Sequence, residues 1–193
     1  MTDVLSLYHE TIAILERQSD QLFQTFSSEI HCKKGCSNCC INGFKIRYIE
    51  GLRLLEGFQQ LPTETAAQIV SNTHEPNRPF CPLLIDGACA LYEHRPALCR
   101  AFGVILQVDD TLATCDLNFK DAQRHQEKTG HPPEGLQKLD ITPFYETLDS
   151  LSQTVWEHTP LPALSTESIA PRSSIQKLFQ SFIQTFGSTS DAQ

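Results

Sequence analysis

The residues of this 193-residue chain that could carry chemistry are its eight cysteines, all of which lie between positions 32 and 115. Thiols at this density chelate a metal, form disulfides or take part in redox reactions. The first four fall within a run of nine residues, and the others follow at wider spacing. All eight are therefore candidate metal ligands, although two of them, Cys32 and Cys115, could instead be small buried hydrophobic residues. The eight are Cys32, Cys36, Cys39, Cys40, Cys81, Cys89, Cys99 and Cys115.

The first residues of the chain, Met1-Thr2-Asp3, show no basic region followed by an apolar run. The sequence therefore predicts neither a signal peptide nor a transmembrane span. We expect a cytoplasmic protein, and cytoplasmic thiols are kept reduced. This expectation favours metal binding over disulfides.

The charge pattern narrows the range of partners. The formal net charge of −8 argues against non-specific binding of nucleic acid, which needs a basic surface. Residues 33–100 are nevertheless mildly basic, with eight Lys/Arg against six Asp/Glu. Because thiolates are anions, nearby cations favour them. The expected partners are metal ions, with no nucleic acid and no membrane, and the sequence identifies no protein partner.

The cysteine spacing predicts how many ions are bound. Residues three apart across a tight turn point the same way, so Cys36 and Cys39 form a typical two-ligand turn for zinc or iron. Side chains of adjacent residues diverge, and we therefore expect Cys39 and Cys40 to serve different metals or different corners of one cluster. Eight thiols would supply two closed four-ligand sites. Zinc is the favoured ion, and iron or an iron–sulfur cluster is the alternative.

The longest patterned stretch of the chain resembles a known family over about residues 32–103. The resemblance is to the YkgJ-type cysteine-cluster family, also called the CxxCxxCC family. It implies a domain that chelates zinc or iron and implies no established activity. This chain differs from the family pattern in having three residues, not two, between Cys32 and Cys36. The segments that carry the resemblance are CSNCC at 36–40, CPLL at 81–84 and GACALYEHRPALCRAF at 87–102.

Two arginines lie among the later cysteines. A four-thiolate zinc site carries a net charge of −2, and burying that charge requires compensation. We expect the guanidinium groups of Arg95 and Arg100 to donate to the sulfurs. The alternatives are an ordinary carboxylate pair for Arg95 and a solvated surface position for Arg100. His31 and His94 could each replace a thiolate, although a surface position is the commoner fate of such histidines.

The surrounding pattern predicts a mainly α fold with small β-hairpins, in which metal staples a cysteine-rich core between N- and C-terminal helices. We expect a single domain over residues 1–187, with its core at 32–115, and a disordered tail at 188–193. Apolar periodicity predicts flanking helices at 3–30 and 142–187, the latter interrupted by a polar, proline-containing connection at 159–172. Further helices are expected at 48–58, from Thr63 to Val70, from Pro96 and up to Lys128, and hairpins at 80–91 and 104–115.

Three classes of function fit these features. The leading one is a metal-chelating protein whose site is structural or handles or senses metal. The second is a metal-cluster enzyme, because flagellin lysine methylases have a similar cysteine motif, but the chain lacks a glycine-rich nucleotide loop. The third is a thiol redox protein using Cys36 and Cys39, which lacks the usual βαβ context. The balance leans away from an enzyme.

Overall fold

The computed structural model describes residues 2–33, 35–40, 44–109, 111–158 and 173–186. Helices dominate these residues and the sheets are small, which confirms the prediction of a mainly α fold with small β elements. The helices are α1 (Thr2–Thr25), α2 (Tyr48–Phe58), α3 (Thr63–His74), α4 (Ala97–Ala101), α5 (Lys120–Thr129), α6 (Thr142–His158) and α7 (Ile175–Phe186). The strands are β1 (Lys45–Ile46), β2 (Leu84–Ile85), β3 (Ala88–Cys89), β4 (Leu106–Val108), β5 (Thr111–Ala113), β6 (Leu139–Asp140) and β7 (Ser173–Ser174).

Helix α1 is shorter than the predicted helix at 3–30, because it ends at Thr25 and residues 26–29 form a turn. Apolar residues continue the helical period past this point, but they are used in tertiary contacts. The Phe26 ring meets the Phe119 ring edge to face at 5.5 Å, and the Glu29 carbonyl accepts a hydrogen bond from Phe119 N at 3.3 Å. In the described part of the chain, no helix combines the length and apolarity needed to cross a bilayer.

The other helices follow the sequence pattern closely. Helix α2 has the predicted bounds, whereas α3 continues beyond Val70 to His74 and its N-cap is Pro62, not Thr63. At the start of α7, the Ser174 hydroxyl accepts a hydrogen bond from Lys177 N at 3.2 Å. The predicted connection at 159–172 and the predicted tail at 188–193 lie outside the described residues. A single domain over 1–187 stays a prediction.

Both predicted hairpins are present. Strands β2 and β3 pair with Leu84 opposite Cys89, and Asp86 and Gly87 between them have φ of 50° and 77°. Positive φ at both central residues defines the type I′ turn that an Asp-Gly pair favours. Strands β4 and β5 form the second hairpin, and β6 adds to β4 in parallel. The pairings β4–β6 and β1–β7 were not predicted, because two-residue strands leave almost no sequence pattern.

Two hydrophobic clusters contact the cysteine region. One lies between α2, α3 and α7, and Cys81 and Cys89 pack against its edge. The other lies between α1, α4, α6 and the three-stranded sheet, and it contains Ala97 and Ala101 of the helix that carries Cys99. Residues 81–99 therefore bridge two cores, and the position of the cysteines depends on both.

Helix α2 touches this bridge at a glycine. A Cβ atom on Gly57 would lie 2.6 Å from Cγ and Nδ1 of His94. His94 ends the 3₁₀ turn Tyr92–His94, which lies between Cys89 and Cys99 in the chain. Real Cβ atoms do not approach this closely, so the glycine allows the turn to pack directly on α2.

We predict that Gly57→Ala lowers the free energy of unfolding by about 1–3 kcal/mol, the usual cost of overpacking, although alanine is the better helix former. Denaturant unfolding of Gly57→Ala, His94→Ala and the double variant measures the coupling between the two positions. In the double variant the alanine at 57 should be harmless or stabilising. Equal effects of Gly57→Ala with and without the His94 ring would contradict the contact.

Candidate metal centre

Four thiols come together from three separate segments of the chain. In every pair among them, the charge of one thiolate would disfavour ionisation of the other, which shows mutual proximity. We call this set the central thiols: Cys39, Cys81, Cys89 and Cys99. Cys81, Cys89 and Cys99 thus lie near one another, and Cys39 joins them.

Short hydrogen-bonded elements position the central thiols. Cys39 lies in the 3₁₀ turn Asn38–Cys40. The carbonyl of Cys40 in this turn accepts a hydrogen bond from Cys81 N at 2.7 Å, which ties the first cysteine segment to the hairpin segment. The hairpin then returns the chain so that Cys89 pairs with Leu84. Helix α4 follows and presents Cys99 from its first turn.

Burial makes the central thiols hard to ionise by themselves. Burial raises the pKa of Cys81 to about 12 and raises that of Cys99 well above its usual range, with the neighbouring sulfurs adding to the effect. A hydrogen bond from the Cys39 thiol to Cys40, together with burial, likewise raises the pKa of Cys39. Such a group of thiols stays neutral until a cation supplies compensating charge.

The chain itself supplies some of the donors and positive charge that stabilise the thiolates. The backbone N–H groups of Leu83 and Leu91 donate to the Cys81 and Cys89 sulfurs and oppose the rise in their pKa values. The Arg95 guanidinium acts in the same direction on Cys39 and Cys89. Donors aimed at sulfur favour the thiolate form that binds metal.

The two arginines expected to neutralise the sulfurs differ in their surroundings. Arg95 lies over the Tyr92 ring at 3.5 Å and donates through Nε to the Tyr92 carbonyl at 2.8 Å. Arg100 forms an ion pair with Glu16 of α1 and donates through Nε to the Arg95 carbonyl at 2.6 Å. A role for Arg100 toward the sulfurs stays a prediction. A third arginine, Arg78, opposes the raised pKa of Cys81 and was not singled out from the sequence.

The adjacent cysteines do not diverge as expected, since the Cys39 and Cys40 thiols hydrogen bond to each other. The tight winding of the 3₁₀ turn and the single short side-chain torsion of cysteine allow this contact. The argument that divergence alone must assign the two residues to different ions is therefore wrong. Their assignment to different metals or different corners of one cluster stays a prediction.

Three of the four remaining thiols are associated with one another. Cys32 hydrogen bonds through its thiol to Cys115, and the charges of Cys115 and Cys36 both act on it. We call Cys32, Cys36 and Cys115 the outer thiols. The side chain of Asn118 donates to the Cys32 sulfur at 3.3 Å. All eight cysteines lie in the described residues and all are free thiols.

The central thiols border a cavity of about 110 Å³ whose walls are mostly apolar. Leu54, Leu83 and Ile175 contribute from the first hydrophobic cluster, and Cys36 and Cys40 add further sulfurs. A set of soft sulfur donors in apolar surroundings, with arginines nearby, fits zinc or iron and does not fit calcium or magnesium. The donor set is therefore suited to the predicted ions.

Binding would still require the sulfurs to move. In the described parts of the chain, no three Cys, His, Asp or Glu side chains converge closely enough to hold an ion as they stand. Sulfurs on one tetrahedral zinc lie roughly 3.8 Å apart, from a Zn–S distance of about 2.3 Å. Rotation of a cysteine between staggered rotamers moves its sulfur by about 3 Å. Side-chain rotation on the present backbone is thus the movement that would gather the central thiols.

A buried carboxylate that sequence reasoning missed links the centre to the core. Glu50 of α2 is 2% exposed, and its Oε2 accepts from Arg47 N at 2.8 Å while its Oε1 accepts from Ala97 N at 2.7 Å. The same side chain thus caps α2 and fixes the first residue of α4, two residues before Cys99. Its only sequence signal is a charged residue within the apolar start of α2.

Comparison with known proteins finds one family. The family model CxxCxxCC, described as "Putative zinc- or iron-chelating domain", matches residues 31–127, which is half of the chain and includes all eight cysteines. No curated protein and no solved structure matches the chain. The match extends beyond the 32–103 stretch identified from the sequence and takes in Cys115.

We predict that Glu50→Ala lowers the free energy of unfolding by about 3 kcal/mol, because two backbone N–H groups lose a charged acceptor in a buried position. It should also weaken metal binding, since α4 loses its anchor. Glu56→Ala on the same helix is the matched control, because Glu56 is partly exposed and pairs only locally with Arg53. Chemical unfolding and metal titration of both variants provide the measurement. Equal stability of the two would contradict this role.

A second prediction concerns Gly87. It has φ of 77° and nothing within 4 Å of an added Cβ, so only backbone strain opposes substitution. Gly87→Val should lower metal content, because the β-branched residue disfavours the turn that returns the chain to Cys89. Gly87→Asn, which tolerates this conformation, should retain metal. Equal metal content in both variants, measured by elemental analysis, would show that the turn does not set the site.

Proposed function

The chain belongs to the CxxCxxCC family, and on that premise we propose that it chelates zinc or iron through Cys39, Cys81, Cys89 and Cys99. The observation that carries this proposal is the mutual proximity of four thiols delivered by three chain segments. Four thiolates complete the coordination of a tetrahedral ion. The backbone N–H donors at Leu83 and Leu91 support the ionised sulfurs.

We favour zinc as the ion. Four cysteine ligands with a compact turn contributing one of them are typical of structural zinc sites. One feature favours an iron–sulfur cluster instead: Cys36 and Cys40 face the same cavity, so it has more sulfur donors than a single zinc needs. The colour of the protein separates these two candidates, because cysteine-bound zinc is colourless.

The proposed role of the ion is to fix the ligand-bearing segments. Strands β2 and β3 are two residues long, and a hairpin of this size is not stable by itself. An ion held by Cys39, Cys81, Cys89 and Cys99 would join the 3₁₀ turn, the hairpin and α4 into one unit. When bound, the ion would form this cross-link, and its binding free energy would add directly to the free energy of folding. A reducing compartment such as the cytoplasm would keep the ligands available.

The chain's own residues would prepare the site for the ion. Arg95 lies near Cys39 and Cys89, and Arg78 lies near Cys81, so cations flank the sulfurs on two sides. Their charge offsets the −2 of a four-thiolate zinc centre. Glu50 holds the start of α4, which sets the position of Cys99.

The test is metal analysis of protein purified without oxygen, with Cys89→Ser as the ligand variant. Ala88→Ser is the matched control, because Ala88 is the exposed neighbour on the same strand. We expect bound zinc or iron in the wild type and in Ala88→Ser, and loss of one ion or cluster in Cys89→Ser. Full metal content in Cys89→Ser would refute the ligand assignment.

The structural role makes a separate prediction for stability. A strong chelator should lower the midpoint of thermal unfolding markedly, since a structural thiolate site contributes on the order of 10 kcal/mol in small domains. The effect should be smaller in Cys89→Ser, which starts without the ion. An unchanged unfolding curve after verified metal removal would contradict a structural role while leaving chelation itself intact.

A further inference from the structure

We propose that the outer thiols Cys32, Cys36 and Cys115 form a second metal site, for a single thiophilic divalent cation with one coordination position left for water or a small anion. This site shares only the kind of ion with the proposed function and uses none of the central thiols. It assigns a purpose to three of the four cysteines that the four-thiol centre leaves over.

The outer thiols are already associated with one another. The Cys32 and Cys115 thiols are in hydrogen-bond contact although 83 residues separate them in the chain, and Cys36 is close enough for its charge to act on Cys32. Cys115 is 5% exposed. Two sulfurs in such contact are about as near as two ligands of one tetrahedral zinc, roughly 3.8 Å apart. As in the central set, rotation of side chains would complete the approach.

A buried asparagine holds the segment around Cys32 close to the segment around Cys115. Asn118 is fully buried; its Oδ1 accepts from His31 N at 2.8 Å, and its Nδ2 donates to the Cys32 sulfur at 3.3 Å. Its own backbone N–H donates to the Cys115 carbonyl at 3.0 Å. Asn118 therefore touches both sides of the site, and a metal-bound thiolate is a better acceptor for its amide than a neutral thiol. An amide that orients a ligand in this way is a positioning residue.

A glycine allows the close packing around Cys32. Gly103 has φ of 153°, and an added Cβ would lie 3.2 Å from Cβ of Cys32 and 3.0 Å from the Phe23 ring. Its carbonyl accepts a second hydrogen bond from Asn118 Nδ2 at 2.6 Å. Residues 31–32, 103 and 115–118 are thus held together around Asn118, whose side-chain oxygen and nitrogen both have partners.

The surroundings suit an ion with an open position. A cavity of about 250 Å³ beside Cys32 and Cys36 is lined also by Lys33, Arg95 and Arg100 and by Cys39 and Cys99 of the central thiols, whereas Cys115 lies outside its lining. Three thiolates on a divalent cation leave a net charge of −1, which these cations offset. Three protein ligands plus water is the arrangement of zinc sites that exchange or activate a fourth ligand. Cys36 also borders the cavity of the central thiols, so the two sites would be neighbours.

The experiment counts zinc ions per chain by native mass spectrometry after anaerobic reconstitution. We expect two ions in the wild type and one each in Cys115→Ser and Cys36→Ser. Cys36 is partly exposed, so its variant remains informative if the buried Cys115→Ser fails to fold. Cys89→Ser is the matched control: it should also hold one ion, and the double variant Cys36→Ser/Cys89→Ser none. Asn118→Ala should release its outer ion faster to a chromogenic chelator.

The outcomes separate the two proposals. If Cys89→Ser loses metal while Cys36→Ser and Cys115→Ser match the wild type, the second site is overturned and the central site stands. If only the outer variants lose metal, the central site fails instead. A wild type lighter by two hydrogens, with Cys32 and Cys115 joined as a disulfide and no second ion, would also overturn the proposal and make the pair a redox element.

Discussion

The structure depends on one constraint: sulfurs that repel one another when ionised are gathered in a partly buried, mostly apolar place. Burial and mutual repulsion both disfavour the thiolates, as the raised pKa of Cys99 shows. The chain opposes this penalty with backbone N–H donors to Cys81 and Cys89 and with the charge of Arg95. The two N–H donors, Leu83 and Leu91, lie in the turns that flank the short hairpin, so the hairpin also helps to place them toward the sulfurs.

The need to hold the cysteines in place also explains why the core contains a buried carboxylate. Glu50 is a fully buried carboxylate, and burial raises its pKa although two backbone N–H groups and Arg47 oppose the rise. Arg47 in turn pairs with Asp149 of α6 at 2.9 Å and lies over the Tyr145 ring at 3.6 Å. Buried ion pairs are weak sources of stability, but this network joins α2, α4 and α6 at fixed positions. Its benefit is the placement of α4, and therefore of Cys99, relative to both hydrophobic clusters.

Local chemistry made part of this arrangement predictable. The Asp86-Gly87 pair predicted the turn of the first hairpin, and apolar periodicity predicted the bounds of α2. Features that rest on contacts between distant segments were missed: the end of α1, where Phe26 turns away to meet Phe119, and the bonds of Asn118 to residues 31 and 32. The sequence offers a signal only in retrospect, because an asparagine three residues after a cysteine is also an ordinary turn residue.

The cysteine run at 32–40 shows how much the spacing of cysteines leaves undecided. Cys36 and Cys39 have the separation of a two-ligand turn, yet the charge contacts of Cys39 are with Cys40 and the central thiols, whereas those of Cys32 are with Cys36 and Cys115. Spacing establishes only that two sulfurs can share an ion; the partners delivered by distant segments decide whether they do. Here the hairpin and α4 reach the end of the run, and residues 115–118 reach its beginning. The run is therefore a junction whose sulfurs contact partners from two different parts of the chain.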